Sequence, residues 1–256
     1  MVKKRLVGVV TIRNGLAVQS FSYKYYLPLG NPLCIIQNLD RWGVDEILIQ
    51  VMDRSVNQLG PDFELLNKLG EIKISTPIIY CGGIRNANDA VNVIKQGSDR
   101  IALDHLLMNS NSELVKISKV LGSQALIACL PLVKDGNELL LYNYEFKIRQ
   151  ELDKEFLEII SNKDIFSEVL LINKETEGLP DSFDTDLISL FPNIDKPLIA
   201  FGGISEVKQI QDLFSKKQVS AVGIGNFLNY REHSVQLFKK SIKYNYLRPP
   251  IYSSII

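Results

Sequence analysis

A single parallel β/α barrel is the fold this sequence predicts, and three observations predict it. Eight short apolar runs alternate with eight segments of helical spacing across 256 residues, which is the arithmetic of a (β/α)8, or TIM, barrel. The runs are rich in Val, Ile and Leu without strict polar alternation, as expected of parallel strands covered on both faces. The chain also repeats itself at about half its length: PIIYCGGI at 77–84 returns as PLIAFGGI at 197–204. A doubly wound sheet is the runner-up, but it does not predict that repeat.

The strands are expected at 5–11, 47–51, 77–81, 100–103, 125–130, 168–172, 197–201 and 221–225. The first follows a basic start, MVKK, but its apolar run stops at Arg13, too short for the core of a signal peptide. Helices are expected at 32–42, 63–69, 87–96, 112–120, 146–160, 184–190, 207–214 and 231–244. Gly43, Gly97 and Gly122 stand where C-caps would fall, and Asn86 stands as an N-cap.

The repeat extends beyond the glycines. At the same offset LDHLLMN (103–109) aligns with GIGNFLN (223–229), and at nearly the same offset RNG (13–15) aligns with KDG (134–136) and DEILI (45–49) with SEVLL (167–171). We read one domain over 1–256, duplicated as half-barrels of approximately 1–121 and 122–256. In each half the glycine pair, Gly82–Gly83 or Gly202–Gly203, follows a strand, where small residues let backbone N–H groups approach an anion. The next strand ends opposite it, in Asp104 and His105 or in Gly225 and Asn226. Two such cradles would hold the two ends of a bis-phosphate; tight strand-to-helix turns are the plainer explanation of the same glycines.

Lys+Arg and Asp+Glu are equal at 29 each, so no global field favours nucleic acid or an anionic membrane. No segment approaches the length of a membrane span. Cys34, Cys81 and Cys129 are odd in number and set in apolar surroundings, which suits buried thiols in a reducing cytoplasm. With two histidines, His105 and His233, and no close Cys/His pair, neither a metal site nor another cofactor is expected. His233 reads as a surface residue.

KRLVGVVTIRNG, GVDEILI, CGGI, LGSQALIA, EVLLINKETEGLPDSFDTDLI, FGGI and NFLNYRE together resemble the cyclase subunit of imidazole glycerol phosphate synthase, the HisF family, collinearly over nearly the whole chain. In that family the barrel receives ammonia from a separate glutaminase and closes an imidazole ring at its C-terminal face. The resemblance implies catalytic aspartates at the ends of strands one and five. Here those positions read Thr11 and Pro131, neither of which exchanges a proton in the required way. The aspartate ending strand two is Val51, with Asp53 two positions on. Glu175 and Glu177 stand where the family usually shows aspartates, to orient a ligand or cap the loop. His105 takes a phosphate-contact position usually held by a small hydroxyl residue, to pair with phosphate or obstruct it.

The family's ring of four charges at its ammonia entrance maps onto Arg5, Glu46, Arg100 and Glu168. Two cations facing two acids is a self-consistent arrangement, since a charge at a strand start inside a barrel costs desolvation unless paired. Ordinary barrel-bottom salt bridges are the alternative.

The expected function is a HisF-like subunit of a glutamine amidotransferase. It would dock and activate a HisH-like glutaminase and channel ammonia without closing a ring, as in a divergent branch associated with acetamidino groups on surface-glycan sugars. A third protein that activates the sugar amide is an implied partner. On this reading Gly82, Gly83, Asp104, His105, Gly178, Gly202, Gly203, Gly225 and Asn226 would shape two phosphate-binding cradles for a phosphorylated small molecule. The alternatives are an active cyclase that recruits Asp53, Glu175 or Glu177, and a non-catalytic regulatory barrel that senses phosphate ligands.

Overall fold

The computed structural model of the protein describes residues 3–230, 233–242 and 247. In chain order the first half comprises β1 (Arg5–Arg13), β2 (Leu16–Phe21), β3 (Tyr25–Gly30), α1 (Pro32–Trp42), β4 (Glu46–Val51), α2 (Met52–Val56), α3 (Phe63–Glu71), β5 (Ile78–Cys81), α4 (Ala87–Lys95), β6 (Arg100–Leu103), α5 (His105–Asn109) and α6 (Asn111–Leu121). The second comprises β7 (Leu126–Asp135), β8 (Glu138–Asn143), β9 (Ile148–Glu151), α7 (Lys154–Ser161), β10 (Glu168–Asn173), α8 (Asp186–Leu190), β11 (Leu198–Phe201), α9 (Val207–Ser215), β12 (Val219–Ile224) and α10 (Ser234–Ser241).

Strands β1, β4, β5, β6, β7, β10, β11 and β12 pair in parallel in that order, and β12 returns to β1 through Leu6↔Val222 and its neighbours, closing a (β/α)8 barrel. Every predicted strand is one of these eight. The absence of alternation in the sequence follows from burial on both faces. Along β1, Val7 and Val9 point into the barrel interior, where they meet Leu48, Ile79, Ala102, Ile127, Leu170 and Ile199. Leu6 and Val10 point outward, into the layer packed beneath the helices.

Local signals set the helix ends. Asn31 and Asn86 cap α1 and α4 by accepting the N–H groups of Leu33 and Asp89, both at 2.9 Å. Gly43 ends α1 in the left-handed conformation.

The helix expected at 146–160 is a correction. Its first part is the antiparallel hairpin β8–β9, with Leu141 opposite Gln150 and Tyr142 opposite Arg149. Only α7 remains helical, started by Asp153, which accepts the Phe156 N–H at 2.8 Å. Arg149, Gln150 and Glu151 have good helix propensity, but pairing with β8 overrides it. The helix expected at 231–244 is seen as α10; residues 231–232 and 243–244 lie outside the described ones.

A second hairpin, β2–β3, extends β1 in the same way. The hairpins therefore follow the first and fifth barrel strands, at equivalent places in the two halves. Both stand at the C-terminal face. Among the described residues no helix is long and apolar enough to cross a membrane.

Candidate functional site

The two mouths of the barrel carry opposite chemistry. At the N-terminal mouth, β1, β4, β6 and β10 begin with Arg5, Glu46, Arg100 and Glu168, and the four side chains meet. Arg5 Nη1 donates to both Glu46 oxygens at 3.0 Å while Nη2 bonds Glu168. Arg100 Nη1 lies 2.6 Å from Glu168 Oε2 and 3.5 Å from Glu46 Oε1. The ring is closed, alternating in sign, and each side chain is at most 15% exposed.

Two serines that sequence reasoning missed complete it. Ser220 Oγ accepts from Arg5 at 3.1 Å and donates to Glu168 at 2.9 Å, and Ser167 Oγ accepts from Arg100 at 2.9 Å. Their only sequence signal is a place at or beside a strand start. Burial pushes both carboxyls up; in Glu46 it prevails, whereas in Glu168 the two guanidiniums overcome it and hold the carboxyl below its ordinary value. Glu168 is the firmly ionised centre of the ring.

Above the ring lies an apolar interior, and above that the C-terminal mouth. Thr11 falls on the inner face of β1 by strand alternation, buried and paired with Gln50 and Val18. Pro131 also faces inward. Strand β7 keeps an unbroken register with β10 from Ile127 to Leu132, while its pairing with β6 ends at Ala128. Pro131 thus has no β6 neighbour to supply with an N–H, and it interrupts nothing.

Tyr23, at the tip of the β2–β3 hairpin, packs against the interior cluster that includes Cys81 and Cys129. Its hydroxyl donates to Gln50 Oε1 at 3.2 Å and its backbone N–H to Glu177 Oε2 at 3.3 Å. Burial pushes its phenol well up, and Glu177 adds to this. Nothing in the sequence singled this residue out.

Beside Tyr23 opens a cavity of about 610 Å³ whose wall includes the cations Arg13, Lys24, Lys147 and Lys174 together with Asp53, Ser55, Gly82, Asp104, Pro131 and Tyr144. Asp53 Oδ2 accepts the Asn14 N–H at 3.0 Å, whereas its buried Oδ1 has no partner. Tyr144 Oη lies beside Asp104 and Ser55 yet makes no hydrogen bond of ordinary geometry. Burial pushes the Asp104 carboxyl up.

The predicted residues divide between this cavity and packed seams. Asp53, Gly82, Asp104 and Pro131 reach the cavity. Gly83 lies behind it, donating its N–H to Ser55 Oγ at 2.9 Å, and His105 turns away toward Glu145, with Nδ1 3.4 Å from its carboxylate. Glu175 is at the surface, bonded to Arg149 at 3.2 Å. Glu177 is buried, 2% exposed, accepting Ser20 Oγ at 2.7 Å, and burial lifts its carboxyl to about 7. Residue His233 precedes α10 in the left-handed conformation and is exposed.

The second-half residues lie in one packed seam. Asn226 Oδ1 accepts the Ser20 N–H at 3.2 Å, and its Nδ2 donates to the Ser20 carbonyl at 2.7 Å and to the Gly178 carbonyl at 3.3 Å. Gly202 and Gly203 accept from Thr176 and Ser182 through their carbonyls. Packing accounts for the repeated glycine pair directly. A Cβ on Gly82 (φ +137°) would strike the Val51 carbonyl at the end of β4, and one on Gly202 (φ +112°) would strike the Asn173 carbonyl at the end of β10. The two collisions are equivalent in the two halves.

A family model described as histidine biosynthesis protein matches residues 5–234. Among curated proteins the chain is 26% identical over 246 residues to a provisionally named imidazole glycerol phosphate synthase subunit hisF2 of Vibrio vulnificus, covering 95% of this chain and 89% of that one. It is 26% identical over 250 residues to the subunit HisF of Alkaliphilus metalliredigens, covering 94% and 96%. To the subunit HisF of a Thermotoga species it is 22% identical over 244 residues, covering 95% and 96%.

Proposed function

The chain belongs to the histidine biosynthesis protein family, and from that premise we propose that it is a HisF-like subunit of a glutamine amidotransferase that delivers ammonia without closing a ring. It docks a HisH-like glutaminase on its N-terminal face, activates it and passes ammonia along the barrel axis. The acceptor is a sugar amide destined for a surface glycan, activated by a third protein.

The contrast between the two mouths carries this reading. At one end Arg5, Glu46, Arg100 and Glu168 form a closed charged ring. At the other, the inward positions to which the resemblance assigns catalytic aspartates are Thr11 and Pro131, which hold no transferable proton of useful acidity. Of the acids considered as substitutes, only Asp53 reaches the cavity. Between the mouths, Val7, Val9, Leu48, Ala102 and Leu170 form an apolar lining. Such a lining favours ammonia over ammonium by penalising charge, and only the neutral form is a nucleophile.

The test is made with the purified barrel, the ribulosyl-formimino substrate of the family and high ammonium salt, following imidazole glycerol phosphate. No turnover, from protein that still stimulates a HisH-like glutaminase, is the expected result. Robust turnover would overturn the reading and assign the proton transfers to Asp53 or its neighbours.

A further inference from the structure

The sequence repeat suggests two equivalent anion cradles, but the structure does not treat the halves alike. In the second half, Asn226 fills the space between Gly178 and the β2 strand, bonded to both backbone groups of Ser20. Glu177 brings a carboxylate into the same seam, against Ser20 Oγ and the Tyr23 N–H. The Asn226 amide, the Ser20 N–H and hydroxyl and the Tyr23 N–H are thus already engaged, and an acid stands among them. An anion entering here would have to break buried hydrogen bonds and face that carboxylate.

The first half opens onto the cavity, and four cations line it. Arg13, Lys24, Lys147 and Lys174 come from β1, the β2–β3 turn, the β8–β9 turn and the end of β10. Among the described residues none of the four has a carboxylate within ion-pair distance, in contrast to the ring at the other mouth. Arg13 instead stacks on Tyr26 at 4.3 Å and Lys174 on Tyr142 at 4.2 Å, which fixes both heads at the cavity wall. Lys174 is only 8% exposed; burial holds its ammonium below the ordinary lysine value, and the nearby Lys24 adds to this. The same lining holds Asp53, whose Oδ1 has no partner and calls for a donor, and Asp104, whose Oδ1 accepts the His105 N–H at 2.6 Å.

We infer that this cavity takes a polyhydroxylated or amide-bearing small molecule with a single anionic group, the anion against Lys174, Lys24, Lys147 and Arg13 and the donor-bearing end against Asp53 and Asp104. A ligand with an anion at each end is excluded because Asn226, Ser20 and Glu177 occupy the second cradle. The inference deepens the function proposed above by giving the class of acceptor, and it rests on that reading only in calling the ligand an acceptor.

Isothermal titration of the isolated barrel with ribose 5-phosphate, fructose 1,6-bisphosphate and inorganic phosphate tests it. Ribose 5-phosphate is expected to bind at least as tightly as the bisphosphate and at least tenfold more tightly than inorganic phosphate. Lys174→Met should weaken it tenfold or more. Lys147→Asn, at an exposed turn whose left-handed backbone asparagine accepts, should weaken it severalfold. A tenfold preference for the bisphosphate, an unchanged affinity in both lysine variants, or no saturable binding at millimolar concentration would each overturn the assignment. Glutaminase stimulation needs none of these ligands, so failure here leaves the ammonia-delivery reading to stand or fall on its own test.

Discussion

Asn226 holds Ser20 by both of its backbone groups, accepting the N–H at 3.2 Å and donating to the carbonyl at 2.7 Å, across 206 residues of sequence. One amide side chain thus does for β2 what a neighbouring strand would do. Removing it leaves a buried N–H and C=O without partners, at about 1–3 kcal/mol for each unsatisfied group.

Asn226→Ala should therefore lower the unfolding free energy by about 2–6 kcal/mol, measured by urea denaturation. The hairpin should also lose protection in amide hydrogen exchange before the barrel does. A change below about 0.5 kcal/mol, in the range of an ordinary surface substitution, would mean that the hairpin is held by other contacts.

Glu177 ties the stability of the same seam to pH. Its folded carboxyl titrates near 7, raised by burial from the ordinary glutamate value. Between these values the folded protein holds a proton that the unfolded chain has released, so stability falls as pH rises through that window and is level above it. The size is on the order of 3 kcal/mol. Glu177→Gln keeps an oxygen to accept from Ser20 and Tyr23 without the ionisation. It should flatten the pH profile of Tm between pH 5 and 7.5, and an equally steep profile in the variant would assign the dependence to another group.

The same hairpin marks the limit of what the sequence discloses. The eight barrel strands are legible because burial on both faces writes continuous apolar runs such as LVGVV and EVLLI. Strand β9, IRQE, is exposed along its whole length, so no apolar pattern distinguishes it from a helix start. The β2–β3 hairpin is fixed by Asn226, Glu177 and Glu175, all more than 150 residues away. Local patterns carry no trace of such partners. The ring residues were nameable because the family resemblance maps its four entrance charges onto them, whereas Ser167 and Ser220 acquire meaning only from what they touch. The cavity's cations come from four separate segments, each reading as ordinary surface polarity.

Tyr23 closes the interior over Cys81 and Cys129, which are 5% and 2% exposed, while Cys34 is exposed. Contact with Cys129 and burial push the Cys81 thiol well up, so it holds little thiolate at neutral pH. In the native protein a disulfide reagent at neutral pH should titrate one thiol rapidly, Cys34, and all three after denaturation. Tyr23→Ala removes the cover and should speed reaction at Cys81 and Cys129 tenfold or more. Equal rates with and without the tyrosine would remove Tyr23 as the closure of the upper mouth.

The charged ring makes a graded prediction, because its two acids are not equivalent. Glu168 bonds both arginines and Ser220, whereas Glu46 bonds Arg5 and stands 3.5 Å from Arg100. Burial lifts the Glu46 carboxyl, so ionising it contributes less. Breaking a buried pair costs about 3–5 kcal/mol, and partial contact with water places this ring at the lower end. Glu168→Ala should cost about 3 kcal/mol and Glu46→Ala about half as much by the same reasoning, with denaturant midpoints as the measurement. Glu46→Ala leaves two cations facing one acid, a field that favours an open mouth and repels ammonium. In the working complex with its glutaminase, free ammonium released per glutamine hydrolysed should rise in this variant while hydrolysis continues. If release stays at the wild-type ratio and only stability changes, the ring is a structural clasp and ammonia enters elsewhere.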